Sequence, residues 1–184
     1  MLRLAGKPPH HSGRVSSNVR QHDNLCRALR SPAKRPMPTR QWSTTDFEQM
    51  SWHDCHVHGF RVTEGEHGAG EIEFDLDYIL EWRCKGEGYS FLVAPATLRF
   101  HQVTDLRIAI DWSAPIAALG PFSLAGIERR SEPRPLHTAA VWVLQINWPE
   151  GNIQFESTGF TQCTWGREVL SMQQGLAPSE RSAA

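Results

Sequence analysis

Residues 71–82 read EIEFDLDYILEW, and this stretch decides the fold class. Ile72, Phe74, Leu76, Tyr78, Leu80 and Trp82 recur at every second position. Glu71, Glu73, Asp75, Asp77 and Glu81 lie between them, and only Ile79 breaks the polar set. Successive side chains of a strand point to opposite faces, so the pattern predicts one long antiparallel strand with a dry face and a wet face. A helix would need apolar residues three or four apart, a spacing this stretch lacks.

The same period continues outward. Lys85-Gly86-Glu87-Gly88 predicts a hairpin loop into a strand over Tyr89–Ala94, and Pro95 predicts a break or edge before Thr97–His101. Leu106, Ile108, Ile110 and Trp112 alternate again, as do Trp142, Leu144, Ile146 and Trp148. The turn Pro149-Glu150-Gly151-Asn152 then leads into Ile153 and Phe155. Tryptophans 82, 112, 142 and 148 fall at inward positions and are expected in the core. Residues 113–137 are proline-rich and carry Arg129, Arg130 and Arg134; they predict an irregular connection with one strand near Phe122–Ile127. Upstream, Thr44-Thr45-Asp46-Phe47-Glu48 predicts a short helical turn capped by Thr44 or Thr45. With no βαβ rhythm, the expectation is a mainly β chain: an antiparallel sandwich or strongly curved sheet of about seven to eight strands with one short N-terminal helix.

The length of 184 residues suits one ordinary domain with a tail. The net charge of −1 conceals an asymmetry. Residues 1–40 hold nine Lys/Arg against the single acid Asp23, whereas residues 41–184 hold ten against nineteen acids. Residues 1–41 are therefore expected to form a basic, disordered leader, because the Arg-, Ser- and Pro-rich stretch 1–36 has too little apolar surface to offset its ordering entropy. An organelle transit peptide, a nucleic-acid-binding arm and an upstream extension before a start at Met37 or Met50 are the readings of this leader, the last being preferred. Residues 42–165 form the expected β-rich domain, and the small, polar residues 166–184 a loose tail.

Cys26, Cys55, Cys84 and Cys163 contain no C-x-x-C pair. They read as free thiols in a reducing compartment. The opening residues lack the apolar segment of a secretory signal, and no stretch approaches the roughly 18 apolar residues of a spanning helix. A cytoplasmic protein is expected.

Chemistry concentrates in Trp52-His53-Asp54-Cys55-His56-Val57-His58. On a strand His56 and His58 share a face, with Asp54 preceding them, and imidazoles so spaced can chelate a transition metal such as zinc. D-x-H-x-H also opens the metal site of amidohydrolase-type enzymes, but their (β/α)8 barrel needs about 250 residues and alternating helices. A smaller site would recruit His101 or His67 as a third ligand. The competing reading is local hydrogen bonding by half-exposed strand histidines, with no cofactor. No G-x-S-x-G, H-E-x-x-H, Walker A or G-x-G-x-x-G signature occurs.

Trp52-His53-Asp54, DLDYILEW (75–82), VAPATLRFH (93–101), VTDL (103–106) and GFTQ (159–162) together resemble a small bacterial family of uncharacterised proteins. The likeness covers residues about 50–162. The wider layout is remotely similar to immunity proteins that neutralise toxins in polymorphic toxin systems. That resemblance implies a protein partner and no catalytic residues; His56 and His58 lie outside its pattern.

The leading expectation is a non-catalytic, β-rich protein-binding module that engages a basic partner through the acidic row Glu71, Glu73, Asp75, Asp77 and Glu81. The alternative is a metal-binding protein or metal-dependent hydrolase using Asp54, His56 and His58. Nucleic acid would be bound only through residues 1–36, since the acidic remainder repels phosphate. Unpaired sheet edges leave a homodimer open.

Overall fold

A computed structural model describes residues 40–182 except residue 87 and residues 114–118. The expectations for the leader lie outside the described residues, save that Arg40 and Gln41 already join the sheet. The alternation at 71–82 builds β3, Gly70–Lys85, after the strands β1, Gln41–Ser43, and β2, His56–Glu64. A hairpin through Gly86, whose φ of 65° suits glycine, leads into β4, Gly88–Ile110. The rest of the sheet is β5, Phe122–Pro133; β6, Thr138–Trp148; β7, Gly151–Glu156; β8, Gly159–Thr164; and β9, Val169–Ser171. A five-residue helix α1, Pro178–Ser182, follows. The fold is mainly β, and every strand pairing is antiparallel. No helix among the described residues is long and apolar enough to cross a membrane.

The nine strands form one curved sheet in the order β1-β8-β4-β3-β2-β5-β6-β7, and β7 returns to pair with β4. Six strands therefore follow one another round a ring: β4, β3, β2, β5, β6, β7. The long β4 makes this closure. Its residues 96–101 pair with β8, and residues 104–110 pair with β7. At the change of partner Gln102 takes positive φ, as does Asp105 within the second segment, where the register slips between Thr104 and Arg107. Such a bulge bends a strand and increases its twist. The ring is partial, because β2 and β5 meet only at His56↔Ser123 and Val57↔Phe122.

The strands expected at 89–94, 97–101 and 106–112 are thus one element, and Pro95 does not break it. Pro95 lies opposite Asp77, and its carbonyl accepts the Trp165 N–H on the other side, in the gap between β9 and β8. A residue's N–H and C=O point the same way along a strand, so the missing donor falls where neither strand needs it. Residues 122–133, expected to be mostly irregular, form a hairpin with β6.

Inside the ring, Phe74, Phe100, Trp142, Phe155 and Phe160 are fully buried and meet edge to face or tilted. Trp142 satisfies its indole N–H on the Ser157 carbonyl at 3.1 Å, and Trp52 donates to Gln162 Oε1 at 2.7 Å. Of the four tryptophans expected inside, only Trp142 is a core residue; Trp112 is partly buried, and Trp82 and Trp148 are exposed. The N-terminal turn is a 3-10 turn, Thr44–Gln49, capped by Ser43. The Asp46 carboxylate accepts the Ser43 N–H at 2.8 Å. Thr44 is not the cap because its hydroxyl accepts the Phe160 N–H of β8 at 2.7 Å.

The outer face of β3 and β4 changes character along its length. Toward one end it carries Glu71 beside His101 and Glu73 beside Arg99. Beyond Asp77 it carries Ile79 opposite Val93, both buried. The register then slips between Ile79 and Glu81, which reverses the alternation and turns Trp82 to the outer face opposite Phe91. Ile79 is therefore no defect in a wet face; it belongs to a second apolar patch. The segment after β9 lies across this patch: Leu176 is buried in the same cluster, and β9 itself pairs with Phe91–Val93. The tail expected to be loose is a docked strap.

Candidate functional site

The Trp52–His58 segment turns into β2 through Asp54, whose φ is 59°, a conformation that aspartate tolerates better than most residues. Its N–H donates to the Leu124 carbonyl at 2.7 Å. Its carboxylate accepts Asn147 Nδ2 at 2.9 Å and Gln174 Nε2 at 2.7 Å, and His53 Nε2 stands 3.4 Å away. Asp54 thus joins β6 and the strap to the head of β2.

Asp77 is the centre of the arrangement. Its side chain is fully buried and accepts His58 Nε2 at 2.8 Å, the Leu176 N–H at 2.9 Å and the Arg181 guanidinium, which also holds Asp75. Burial alone would raise the Asp77 carboxyl. The His58 and Leu176 hydrogen bonds and the Arg181 charge outweigh it and hold the group below the usual carboxylate range. Arg181 also lies over the Trp165 ring, 5.5 Å from its centroid.

His56 faces Asp77 across the β2–β3 pairing and packs under the strap. Burial lowers its pKa, His58 adds to that, and Asp77 and Asp54 oppose it; the net direction is down. Gly175 makes the close approach possible, since a Cβ there would stand 2.5 Å from His56 Nδ1.

The structure does not bring Asp54, His56 and His58 together as a metal-ligand set. Asp54 is engaged by Asn147 and Gln174, and His58 by Asp77. Neither proposed third ligand joins them: His101 binds Glu71 at 3.0 Å and Thr161 at 3.1 Å, and His67 sits in the 3-10 turn Glu66–Gly68. Among the described residues no group of three or more His, Cys, Asp or Glu side chains is placed to hold a metal ion. Cys55 beside this cluster is buried, and burial pushes its thiol up to about 12, so it is no nucleophile near neutral pH.

Nor is the acidic row a bare negative surface. Glu71 meets His101 and Arg99, Glu73 meets Arg99 and Arg61, and Asp75 meets Arg181. Glu81 meets Arg83 at 2.7 Å, and Asp77 is buried beneath the strap. The row is a set of ion pairs, across strands at Glu71 and Glu73, within β3 at Glu81 and to the strap at Asp75 and Asp77.

Beside the strap runs an open groove of about 1400 Å³, walled by His56, His58, Phe91 and Arg181 and rimmed by Tyr89 and Met172. Next to this rim Trp82, 43% exposed, meets Tyr89, 58% exposed, with ring centroids 6.4 Å apart. His53 stacks on Trp82 at 5.9 Å, and Phe91 meets it edge-on at 4.9 Å. Sequence reading found His53, Asp54, His56 and His58 but not the rim. The slip at Leu80 that exposes Trp82 leaves no mark in the alternation, and Leu176 is a lone apolar residue in a polar tail. In comparisons with known proteins, no family model, no curated sequence and no solved structure matched the chain.

Proposed function

We infer that the chain is a protein-binding module whose contact surface is the aromatic rim of the strap groove. The observation that carries this reading is the exposure of Trp82 and Tyr89, held against each other and against His53 rather than folded into the core. Rigid aromatic side chains beside methionine and arginine are the composition of binding hot spots. Trp82 is fixed by Phe91 and His53, so little side-chain freedom remains to be lost on binding. The paired acids flank this surface and set orientation through rearranged ion pairs, a smaller role than the sequence suggested. The similarity to immunity proteins makes a toxin domain the partner class to try first.

A photo-crosslinking residue placed at Tyr89, in the cell that makes the protein, tests this reading against the same residue at Leu136, which is 96% exposed and remote in sequence from the rim. One discrete heterologous adduct from position 89, lost in Trp82→Ala and absent from position 136, is the expected result. The same diffuse adducts from both positions would remove the rim from consideration.

A further inference from the structure

The opening in the ring exposes one side of β2. The strand pairs with β3 from His56 to Glu64 but touches β5 only at His56 and Val57. From Gly59 to Glu64 its other edge carries no strand among the described residues, and all six residues are exposed. The ladder fixes which groups are free. Gly65 N donates to Ala69 O on the β3 side, in register with Glu64↔Gly70. Hydrogen-bonding direction alternates along a strand, so Gly65, Thr63 and Arg61 address β3. Phe60, Val62 and Glu64 therefore turn their N–H and C=O groups outward.

The other edges are guarded. β5 beyond Ile127 carries Glu128, Arg129, Arg130, Glu132 and Pro133, and β1 and β9 have three residues each. β2 is less protected over Gly59–Glu64: it carries two charged residues of opposite sign, Arg61 and Glu64, but no proline, no lysine and no register slip after Gly59. Its core-side residues Phe60 and Val62 are 38% and 53% exposed although Phe60 still meets Phe74 of the core, ring centroids 5.9 Å apart. They are core positions left uncovered by the seam.

We propose that this edge pairs, antiparallel, with the β2 edge of a second copy of the chain, centred on Val62. A two-fold axis through an antiparallel strand pair must set one residue against itself. Centred on Val62, it sets Val62 against Val62, Phe60 against Glu64 and Arg61 against Thr63, with no like charges directly opposite. Centred on Arg61, it would oppose two guanidinium groups, which disfavours that register. The edge carries one Arg and one Glu, so it is neutral as a whole, and Arg61 is already held by Glu73 at 3.2 Å. A strongly charged foreign strand therefore finds no complement here, whereas an identical strand does. The pairing satisfies the outward backbone groups of Phe60, Val62 and Glu64 in both copies and covers the two exposed apolar side chains. Six residues a side bury well under the roughly 1,600 Å² of a standard interface, so the dimer is weak and concentration-dependent.

Sedimentation equilibrium of the full chain over a concentration series measures the association, with hydrogen exchange read at the backbone amides of Phe60, Val62 and Glu64. The expected result is a reversible dimer, with exchange at these three amides slowing as concentration rises. Val62→Lys and Val62→Pro should each lower the association constant by at least about tenfold, far-UV circular dichroism staying that of the parent. Proline at position 62 removes an outward donor and leaves the bonds to β3 in place. A monomer at every concentration overturns the proposal. So does a dimer that survives both folded variants, or one whose formation leaves the three amides exchanging as in the monomer; these last two readouts would place the contact elsewhere.

Discussion

The two ends of one sheet face behave differently. On the outer side of β3 and β4, the end holding Glu71, Glu73, Arg99 and His101 is an ion-pair ladder open to water. The end holding Asp77, Ile79, Val93 and Phe91 lies beneath the C-terminal strap. Both carry acids on β3, Glu71 and Glu73 at one end and Asp77 at the other, and only Ile79 marks the second end in the local pattern. The difference arises from a segment about a hundred residues away that lays Leu176 and Arg181 across one end only. A carboxylate in the first end is screened by solvent; in the second it must be satisfied by protein.

This contrast can be broken most directly at Asp77. Replacing it by Ala leaves the Leu176 N–H and His58 without this acceptor and Arg181 with Asp75 alone, and removing one member of a buried pair costs about 3–5 kcal/mol. Glu71→Gln, at the open end, should cost less than about 1 kcal/mol. Urea denaturation of the two variants compares them; equal losses would erase the distinction between the ends.

The next effect is on the strap contact itself. Gly175→Ala pushes a methyl group into His56, and overpacking of this kind costs about 1–3 kcal/mol. His56→Ala makes room for it, so the double variant should recover most of the loss. A fully additive double variant would mean that Gly175 and His56 are not in contact.

The dependence on pH sharpens the comparison further. The Asp77 carboxyl is lowered in the fold, so its contribution is complete above the ordinary carboxylate value of 3.8 and is lost as pH falls through the folded value. The His56 imidazole is lowered from 6.5, so stability is also complete above that value and declines as pH falls toward the folded one. Stability against pH should therefore show a decline beginning near neutrality, which His56→Gln flattens, and a second in acid, which Asp77→Asn removes. A profile unchanged by His56→Gln would contradict the burial of that ring under the strap.

The smallest effect is expected at the register slip of β3 around Leu80. The alternation of Ile72, Phe74, Leu76 and Tyr78 named the longest contact face and the fold class, because period two is a local property of a strand. The turn at Asp54, whose φ is 59°, was not legible: the sequence placed Asp54 on the strand face ahead of His56 and His58. Nor was the slip at Leu80, because Leu80 and Trp82 satisfy the apolar pattern in either register. Strap docking was equally hidden, since Gln174, Leu176 and Arg181 find partners 99 to 120 residues away and no local spacing encodes that distance. The metal expectation finds no ligand set among the described residues for a related reason: two histidines on one face are necessary for a site, but the carboxylates around them are engaged by Gln174, Asn147, Leu176 and Arg181. Leu80→Ala, which keeps the bulge and removes a partly buried side chain, should cost less than the roughly 2–5 kcal/mol of a fully buried leucine.

Hydrogen exchange at the Leu176 amide, in the parent chain and in Asp77→Asn, tests the central claim most directly. If the strap is held by Asp77, the Leu176 amide is protected in the parent and exchanges rapidly in the variant, while the amides pairing β3 with β4 at Phe74 and Leu98 stay protected in both. A Leu176 amide that exchanges freely in the parent would contradict the docked strap, and with it the groove and the aromatic rim built against it.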